Sequence, residues 1–179
     1  AQLKTEKVVT LGGSEFYEGF LGKQQVVLVR SGIGKVQAGM TTALLIVTFK
    51  VQAVINSGSA GGIGKGLHVG DVVLSNAAAY HDVDATAFGY LPGQLPQQPQ
   101  LFTADENLIV AIEKAARKNN LESKVGLIIT GDQFVASSAK TTEIKKIYPA
   151  ALCCEMEGAA VAQAAYQFGV PFVIIRAMS

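Results

Sequence analysis

The segment AALCCEMEGAAVAQAAYQFGVPFVII, residues 150–175, decides the fold class because it contains a strand, a helix and a second strand in succession. Residues 150–154 form a short apolar run that is typical of a buried strand. Residues 158–168 predict an alanine-rich helix, which ends at a glycine with a proline just beyond, as many helices do. Residues 172–175 predict another buried strand. Alternation of strands and helices indicates an α/β protein.

The same alternation continues on the N-terminal side of this segment. Residues 104–119 predict an amphipathic helix whose acidic first turn and basic last turn match the helix dipole. A further helix is expected at residues 38–50. The other apolar runs are expected to be buried strands: residues 26–29, 51–55, 69–74 and 125–129. Residues 7–11 and 15–21 predict a hairpin or meander ahead of the alternating part, so we expect an α/β sandwich with a mixed sheet.

The composition limits the partners that the chain can have. Its 179 residues, 49% apolar and 16% charged, suit one domain, residues 1–179, with a single buried core. A net charge of +1 without a dense Lys/Arg block argues against nucleic acid and acidic membranes, so a small molecule or another protein is expected. No apolar run approaches the roughly 20 residues of a membrane span. No signal peptide is recognisable, and the expected location is cytoplasmic.

Neither the cysteines nor the histidines indicate a metal centre. Cys153 and Cys154 are adjacent in an apolar run, so they are expected to be buried free thiols. His81 and Asp82 could begin a metal site, but His68 is the only other histidine and no acidic cluster completes the ligand set. No metal and no cofactor are therefore expected.

Two glycine-rich stretches follow predicted strands, where ligands of open α/β sheets bind. In residues 57–64, four glycines allow a tight turn and close approach of the backbone to a ligand, with a plain turn as the alternative. A strand pattern follows, so this is not a dinucleotide fingerprint. Residues 31–35, SGIGK, match a phosphate loop only in part, because Val29 and Val36 occupy two of its required positions. A turn that lets a helix pack on its strand is favoured there.

Aromatic residues mark two further places. Phe134 follows the predicted strand at residues 125–130, where a flat purine could stack on its ring, although spacing alone favours a position in the core. Residues 85–102 lack periodicity and contain three prolines. A stretch of that length is usually functional or at an interface, so Phe88 and Tyr90 within it suit an interface anchor or a lid.

Two carboxylates, Glu155 and Glu157, interrupt the sequence where an apolar strand becomes an apolar helix. Carboxylates are seldom buried unless they are paired or hydrogen-bonded. One of them can stabilise the helix N-terminus, which leaves the other for a ligand. An ionised carboxylate accepts a hydrogen bond from each of two hydroxyls, so a ribose diol is a suitable partner. A purely structural role at the helix N-terminus explains the pattern equally well.

Five motifs together resemble one known family. They are SGIGK at 31–35, NSGSAGG at 56–62, HD at 81–82 through AFGY at 87–90, GDQF at 131–134 and EME at 155–157. Their order and spacing, over essentially the whole chain, are similar to those of bacterial 5'-methylthioadenosine/S-adenosylhomocysteine nucleosidases in the nucleoside phosphorylase and nucleosidase superfamily. The resemblance implies a three-layer α/β/α sandwich with a mixed central sheet. It also implies hydrolysis of the N-glycosidic bond of both nucleosides, with release of adenine, in methionine salvage.

The resemblance assigns substrate contacts to individual residues. Glu157 would hold the ribose 3'-hydroxyl, and Met156 would pack against the sugar. Phe134 would stack on adenine while the backbone of Val135 binds its Watson–Crick edge. The remaining implied contacts are Ala60, Gly61, Glu155 and Ser179.

The resemblance also implies roles beyond the base and the sugar. Ser59 and Arg176 would help to position the attacking water, and Ile33 would line the pocket for the thioalkyl group. Phe88 would reach into the site of a partner subunit, which makes a homodimer the expected functional unit.

Two groups that carry the chemistry in this family are expected to fall outside the sequence. The general acid would be an Asp directly after the Arg-Ala-x-Ser segment, and the sequence ends with that segment at Ser179. The water-activating Glu would follow a strand that precedes the first residue. A positioned acid or base contributes about 10²–10⁴-fold in rate, so residues 1–179 by themselves are expected to be nearly inactive.

Two other functions stay open. A phosphorylase of the same superfamily would need cationic residues at a phosphate site, and only Arg30 and Arg176 lie near candidate strand ends. A non-catalytic nucleoside-binding module would explain the lack of an acid and a base. Phosphate-dependent release of adenine would identify the first, and binding without turnover the second.

Overall fold

Strands and helices alternate along most of the chain, as its apolar pattern predicts. The computed structural model describes residues 2–179. The strands are β1 (Lys4–Leu11), β2 (Ser14–Leu21), β3 (Gln24–Val29), β4 (Val54–Gly62), β5 (Val72–Tyr80), β6 (Phe102–Thr103), β7 (Ser123–Thr130), β8 (Ala151–Glu155) and β9 (Phe172–Met178). The α-helices are α1 (Lys35–Phe49), α2 (Glu106–Lys118), α3 (Ser138–Ile147) and α4 (Gly158–Gln167). No helix within residues 2–179 is long and apolar enough to cross a membrane.

Strands β1, β2 and β3 form a separate antiparallel meander, which confirms the predicted hairpin. Its first turn contains Gly12 and Gly13 at φ 56° and 80°, a conformation that glycine adopts without steric cost. Phe16 of β2 is buried and stacks on Phe49 of α1, with 5.0 Å between ring centroids. The burial predicted for residues 26–29 is wrong for Leu28, which is 59% exposed because this edge of the meander borders a cavity.

The other six strands form a mixed sheet in the order β6-β5-β7-β8-β4-β9. Parallel pairing joins β5 to β7, β7 to β8 and β4 to β9, whereas β4 and β8 are antiparallel. Strand β9 also pairs with the start of β5, where Val72 lies opposite Ala177. The sheet therefore closes on itself. The carboxyl ends of β4 and β8 still meet, since Gly61 pairs with Cys154.

Helices cover both faces of this sheet, which confirms the three-layer α/β/α sandwich. Along β5 and β7, successive side chains point to opposite faces. Ala78 and Ile128 pack on the face covered by α1, α2 and α4. Ala77 and Ile129 pack on the opposite face, against Ile144 of α3. Helix α3 is not predicted by the sequence pattern, because its residues SAKTTEIKKI are too polar to show a clear apolar period.

The two cysteines lie on opposite faces of β8 and are buried free thiols, as predicted. Burial raises the pKa of each thiol, Cys153 and Cys154, to about 12. A thiol with so high a pKa holds its proton at neutral pH and is a poor nucleophile. These groups therefore contribute to packing and not to chemistry.

The glycine-rich stretch at residues 57–64 contradicts the expected tight turn, because β4 continues through Gly62. Its glycines instead allow close packing of neighbouring strands. A Cβ atom on Gly64 would lie 2.9 Å from Cδ2 of Leu152, and one on Gly58 would lie 3.4 Å from Nη1 of Arg176. The lack of side chains lets β4 turn from its pairing with β9 to its pairing with β8.

Candidate functional site

A cavity of about 780 Å³ opens where β4 and β8 meet. It is lined by residues 28–33, 55–63, 133–138 and 154–157, with Thr141, Arg176 and Ser179. Small-molecule sites are commonly about 300–1,000 Å³, so this space fits a nucleoside. All the predicted site residues except Phe88 line it: Ile33, Ser59, Ala60, Gly61, Phe134, Val135, Glu155, Met156, Glu157, Arg176 and Ser179.

Glu155 holds the turn that leads into α4. Its side chain is 2% exposed, and Oε2 accepts hydrogen bonds from the backbone amides of Glu157 at 3.0 Å and Gly158 at 2.7 Å. The hydroxyl of Thr130, at the end of β7, donates to Oε1. Both carboxylate oxygens are therefore used by the protein itself. Glu155 therefore stabilises the N-terminus of α4, and it also lines the cavity, where its predicted substrate contact stays a prediction.

Arg176 is buried beside Glu155 and is 1% exposed. A guanidinium has five N–H donors. Two of them bind Oε2 of Glu155, a third binds Oδ1 of Asn56 at 2.6 Å, and the last two reach the carbonyl oxygens of Asn56 and Ile175. The positive charge compensates the buried carboxylate, which would otherwise be strongly destabilising. Because all five N–H groups have acceptors, Arg176 orders the acidic turn and has no donor left over.

Glu157 is the carboxylate that faces the cavity. Its Oε1 accepts a hydrogen bond from the backbone amide of Gly34 at 2.9 Å. Its Oε2 lies 3.9 Å from Nη2 of Arg176 and has no hydrogen-bond donor within residues 2–179. One carboxylate of the pair thus supports the helix while the other keeps an oxygen free for a ligand. This arrangement matches one of the two alternatives stated for Glu155 and Glu157 from the sequence, in which one carboxylate stabilises the helix and the other is left for a ligand.

Phe134 forms an aromatic wall of the cavity and is 87% exposed. The expectation from spacing that it lies in the core is wrong, because β7 ends at Thr130 and the chain continues as a loop to the start of α3. Val135, the next residue, packs against the apolar cluster beneath α3 and fixes the loop. An exposed aromatic ring and a free carboxylate that line one cavity are common features of ligand sites.

A third carboxylate, that of Asp82, holds two of the loops around the cavity together. Oδ2 of Asp82 accepts a hydrogen bond from Nζ of Lys35 at 2.7 Å and another from the backbone amide of Asp132 at 2.8 Å. The backbone amide of Lys35 in turn donates to Oδ1 of Asp132 at 2.9 Å. Burial acts to raise the pKa of Asp82, but the hydrogen bonds from Lys35 and Asp132 outweigh it and hold that pKa below its usual range. Asp82 therefore stays ionised and ties the start of α1 to the loop that bears Phe134.

His81 is buried at 6% exposure beneath this network, and neither ring nitrogen has a hydrogen-bond partner within residues 2–179. Burial lowers the pKa of its imidazole. The ring packs against the backbone at Gly131, where there is no room for a Cβ atom. No group of three metal-ligating side chains occurs within the described residues.

Phe88 lies apart from the cavity. It ends a short 3₁₀ turn, Thr86–Phe88, which the Asp84 side chain stabilises by accepting from the amide and hydroxyl of Thr86. Its ring is 83% exposed. Phe88 therefore contributes nothing to the site of its own chain.

Sequence reasoning misses two residues that build the site. Thr130 joins Glu155 to α4, since its hydroxyl also accepts from the Ala159 amide at 2.8 Å. Asn56 holds the guanidinium of Arg176. A polar residue at the end of an apolar strand is the only signal in the sequence, and it does not identify the partner.

The chain is similar to known enzymes over most of its length. Residues 1–179 match the model of the phosphorylase superfamily. A 5'-methylthioadenosine/S-adenosylhomocysteine nucleosidase from Staphylococcus aureus is 47% identical over 171 residues, which are 96% of this chain and 75% of the relative.

Solved structures show the same likeness. The 5'-methylthioadenosine/S-adenosylhomocysteine nucleosidase from Neisseria meningitidis, in complex with methylthio-immucillin-A, superposes with a TM-score of 0.96 at 50% identity, covering 99% of this chain and 77% of that one. A futalosine hydrolase from Helicobacter pylori superposes with a TM-score of 0.93 at 33% identity, covering 99% and 75%.

Proposed function

The chain belongs to the phosphorylase superfamily, and we therefore infer that it hydrolyses the N-glycosidic bond of 5'-methylthioadenosine and S-adenosylhomocysteine. The products are adenine and a thio-substituted ribose. The observation that carries this inference in the structure is the cavity in which an exposed aromatic ring, Phe134, and a free carboxylate oxygen, on Glu157, lie together. One suits a flat base and the other a sugar diol.

We propose that the base binds at Phe134 and the sugar binds at Glu157. Adenine stacks on Phe134, and the backbone of Val135 binds its edge. Oε2 of Glu157 accepts the ribose 3'-hydroxyl, and Met156 packs against the sugar. Support comes from the hydrogen bond between Gly34 and Glu157, which uses Oε1 and leaves Oε2 of that carboxylate without a donor from residues 2–179. We further propose that residues 1–179 belong to a single nucleoside-binding domain.

Cleavage of the glycosidic bond builds positive charge on the sugar and negative charge on the base. The carboxylate of Glu157 beside the ribose stabilises the first of these charges. Ser59 lies on the exposed side of β4 within the cavity and is proposed to hold the attacking water. Arg176 is proposed to act through Glu155 and Glu157, because its N–H groups are already bound to the protein.

The same geometry argues against the phosphorylase alternative. A phosphate nucleophile needs cationic donors close to the anomeric carbon. Arg176, the cation beside Glu157, has no N–H group free to bind phosphate. Water requires no cationic donor beside Glu157, so the site suits a water nucleophile.

We propose that the functional unit is a homodimer in which Phe88 completes the site of the partner subunit. The exposed ring on a stabilised turn, outside the cavity of its own chain, supports this proposal. The proposed setting is methionine salvage in the cytoplasm, because the methylthio and homocysteine groups of the two substrates are the sulfur-containing fragments of methionine.

The decisive test measures release of the free purine base by the full-length protein from methylthioadenosine, S-adenosylhomocysteine and futalosine, each with and without phosphate. We expect turnover of the first two at a rate that phosphate does not change. The Glu157→Gln variant should lose at least about a hundredfold in kcat/KM, because the amide cannot compensate the charge on the sugar. Phosphate-dependent turnover would instead establish a phosphorylase, and binding without turnover a non-catalytic module.

A further inference from the structure

Arg30 is a cation on the cavity wall that the site described above does not use. It follows β3 directly, is exposed, and lines the cavity together with Leu28 and Ile33. Within residues 2–179 it forms no ion pair and no side-chain hydrogen bond. The other basic residue of the cavity wall, Arg176, has all its donors occupied. Arg30 is therefore the one cationic side chain of this wall that is available to a ligand.

The position of Arg30 relative to the proposed ribose contact follows from the loop that links them. The backbone amide of Gly34 binds Glu157 at 2.9 Å, so residues 31–34 lie directly beside the carboxylate that holds the 3'-hydroxyl. The 5'-carbon of a ribose is bonded to the 4'-carbon, which is the neighbour of the 3'-carbon that bears this hydroxyl. A group on the 5'-carbon therefore leaves the sugar close to this loop and to the end of β3.

The wall beside this loop changes from apolar to cationic. Ile33 is 81% exposed and Leu28 is 59% exposed, and both line the cavity. Leu28 and Arg30 are two residues apart in an extended segment, so their side chains share one side of the chain. An apolar surface followed by a guanidinium suits a ligand tail that begins with a thioether and methylenes and ends in a carboxylate.

We propose that Arg30 is a specificity-determining residue that binds the carboxylate of the homocysteine tail of S-adenosylhomocysteine. The thioether and methylene groups of the tail lie on Leu28 and Ile33, and the planar guanidinium receives the carboxylate in a bidentate pair. 5'-Methylthioadenosine ends in a methyl group, so it uses the apolar part of the wall alone. This inference rests on the proposed function and extends it, because it explains how one site accepts both a methyl group and a zwitterionic amino-acid tail.

The test compares kcat/KM for the two nucleosides in the full-length protein and in Arg30→Ala. We expect the ratio of kcat/KM for S-adenosylhomocysteine to that for methylthioadenosine to fall about two- to fivefold, through a higher KM for S-adenosylhomocysteine, as for an exposed charged pair. Arg30→Lys should keep part of the ratio because it retains the charge. The matched control is Arg117→Ala on α2, which removes an exposed arginine that contacts only Glu113 of its own helix.

A substrate with an uncharged tail provides a second control. In Arg30→Ala, the ratio of kcat/KM for 5'-propylthio-5'-deoxyadenosine to that for methylthioadenosine should stay unchanged. In the parent protein, added salt should raise the KM only for S-adenosylhomocysteine. An equal ratio in Arg30→Ala and Arg117→Ala would overturn the role of Arg30 while the nucleosidase activity stands. A parent protein that hydrolyses neither nucleoside would instead overturn the proposed function.

Discussion

Replacement of Asp82 by Asn tests whether one carboxylate holds the two loops of the cavity in place. The side chain is 13% exposed and binds Nζ of Lys35 at 2.7 Å and the Asp132 amide at 2.8 Å. An asparagine keeps one acceptor oxygen but loses the charge. Hydrogen bonds to charged groups contribute about 1.5–3 kcal/mol each, and we discount this range because Lys35 is partly exposed and can be solvated by water.

We therefore expect Asp82→Asn to lower the free energy of unfolding by about 1–2 kcal/mol. For a chain of this length, that loss corresponds to a decrease in Tm of roughly 2–8 °C. The loops that bear Phe134 and Gly34 should also become less ordered, so the KM for methylthioadenosine should rise more than kcat falls. Thermal denaturation followed by circular dichroism measures the first effect, and steady-state release of adenine measures the second.

The pH dependence of this effect follows from the lowered pKa of Asp82. A carboxylate whose folded pKa lies below its unfolded value of 3.8 stabilises the fold above that value, and the stabilisation is lost as pH falls through the folded pKa. The difference in Tm between the parent protein and Asp82→Asn should therefore be full at neutral pH and shrink below pH 3.8. The control is Glu113→Gln, which changes a carboxylate that pairs with Arg117 of its own helix, away from the cavity. Equal Tm and KM values for the Asp82 and Glu113 variants would refute the reasoning.

Three further outcomes are expected from single positions. Phe134→Ala should weaken adenine binding by about 1–3 kcal/mol, the usual value of a base–aromatic stack, and leave Tm unchanged because the ring is 87% exposed; calorimetry tests both. Arg176→Ala should lower the free energy of unfolding by about 3–5 kcal/mol, since it leaves Glu155 buried without its partner, and a urea titration that shows less than 1 kcal/mol, on the order of an exposed pair, would contradict this. Cys153 and Cys154 should resist a thiol reagent at pH 8 in the folded protein and react in denaturant, because burial raises their pKa to about 12.

Several elements follow from local sequence alone. The start of α2 is one example, because Asp105 accepts from the Leu108 amide only three residues away. The meander is another, since its first turn depends on two adjacent glycines. Strands β7, β8 and β9 are apolar runs that can be recognised before any contact is known. Interactions within a few residues determine these features, so the sequence predicts them directly.

Other features depend on residues that are distant in the sequence. Residues 57–62 resemble a glycine turn but continue as a strand, because β8 and β9 pair with them. Phe134 has an apolar side chain and nevertheless lies exposed, because the chain leaves the sheet at Thr130. Helix α3 has a polar sequence and becomes part of a layer through Ile144, which is buried against the sheet.

The pair Glu155 and Glu157 shows how much the sequence alone can predict about the site. The sequence by itself determines that two carboxylates stand at the junction of a strand and a helix, and that an uncompensated pair there would be unfavourable. Only the tertiary structure decides which of them serves the fold. It brings Arg176 from β9 to Glu155 and the amide of Gly34, 123 residues away in the chain, to Glu157. Hydrogen bonds and ion pairs act over a few ångströms in space. Which residues form them therefore depends on the folding of the closed sheet, which brings distant parts of the chain together.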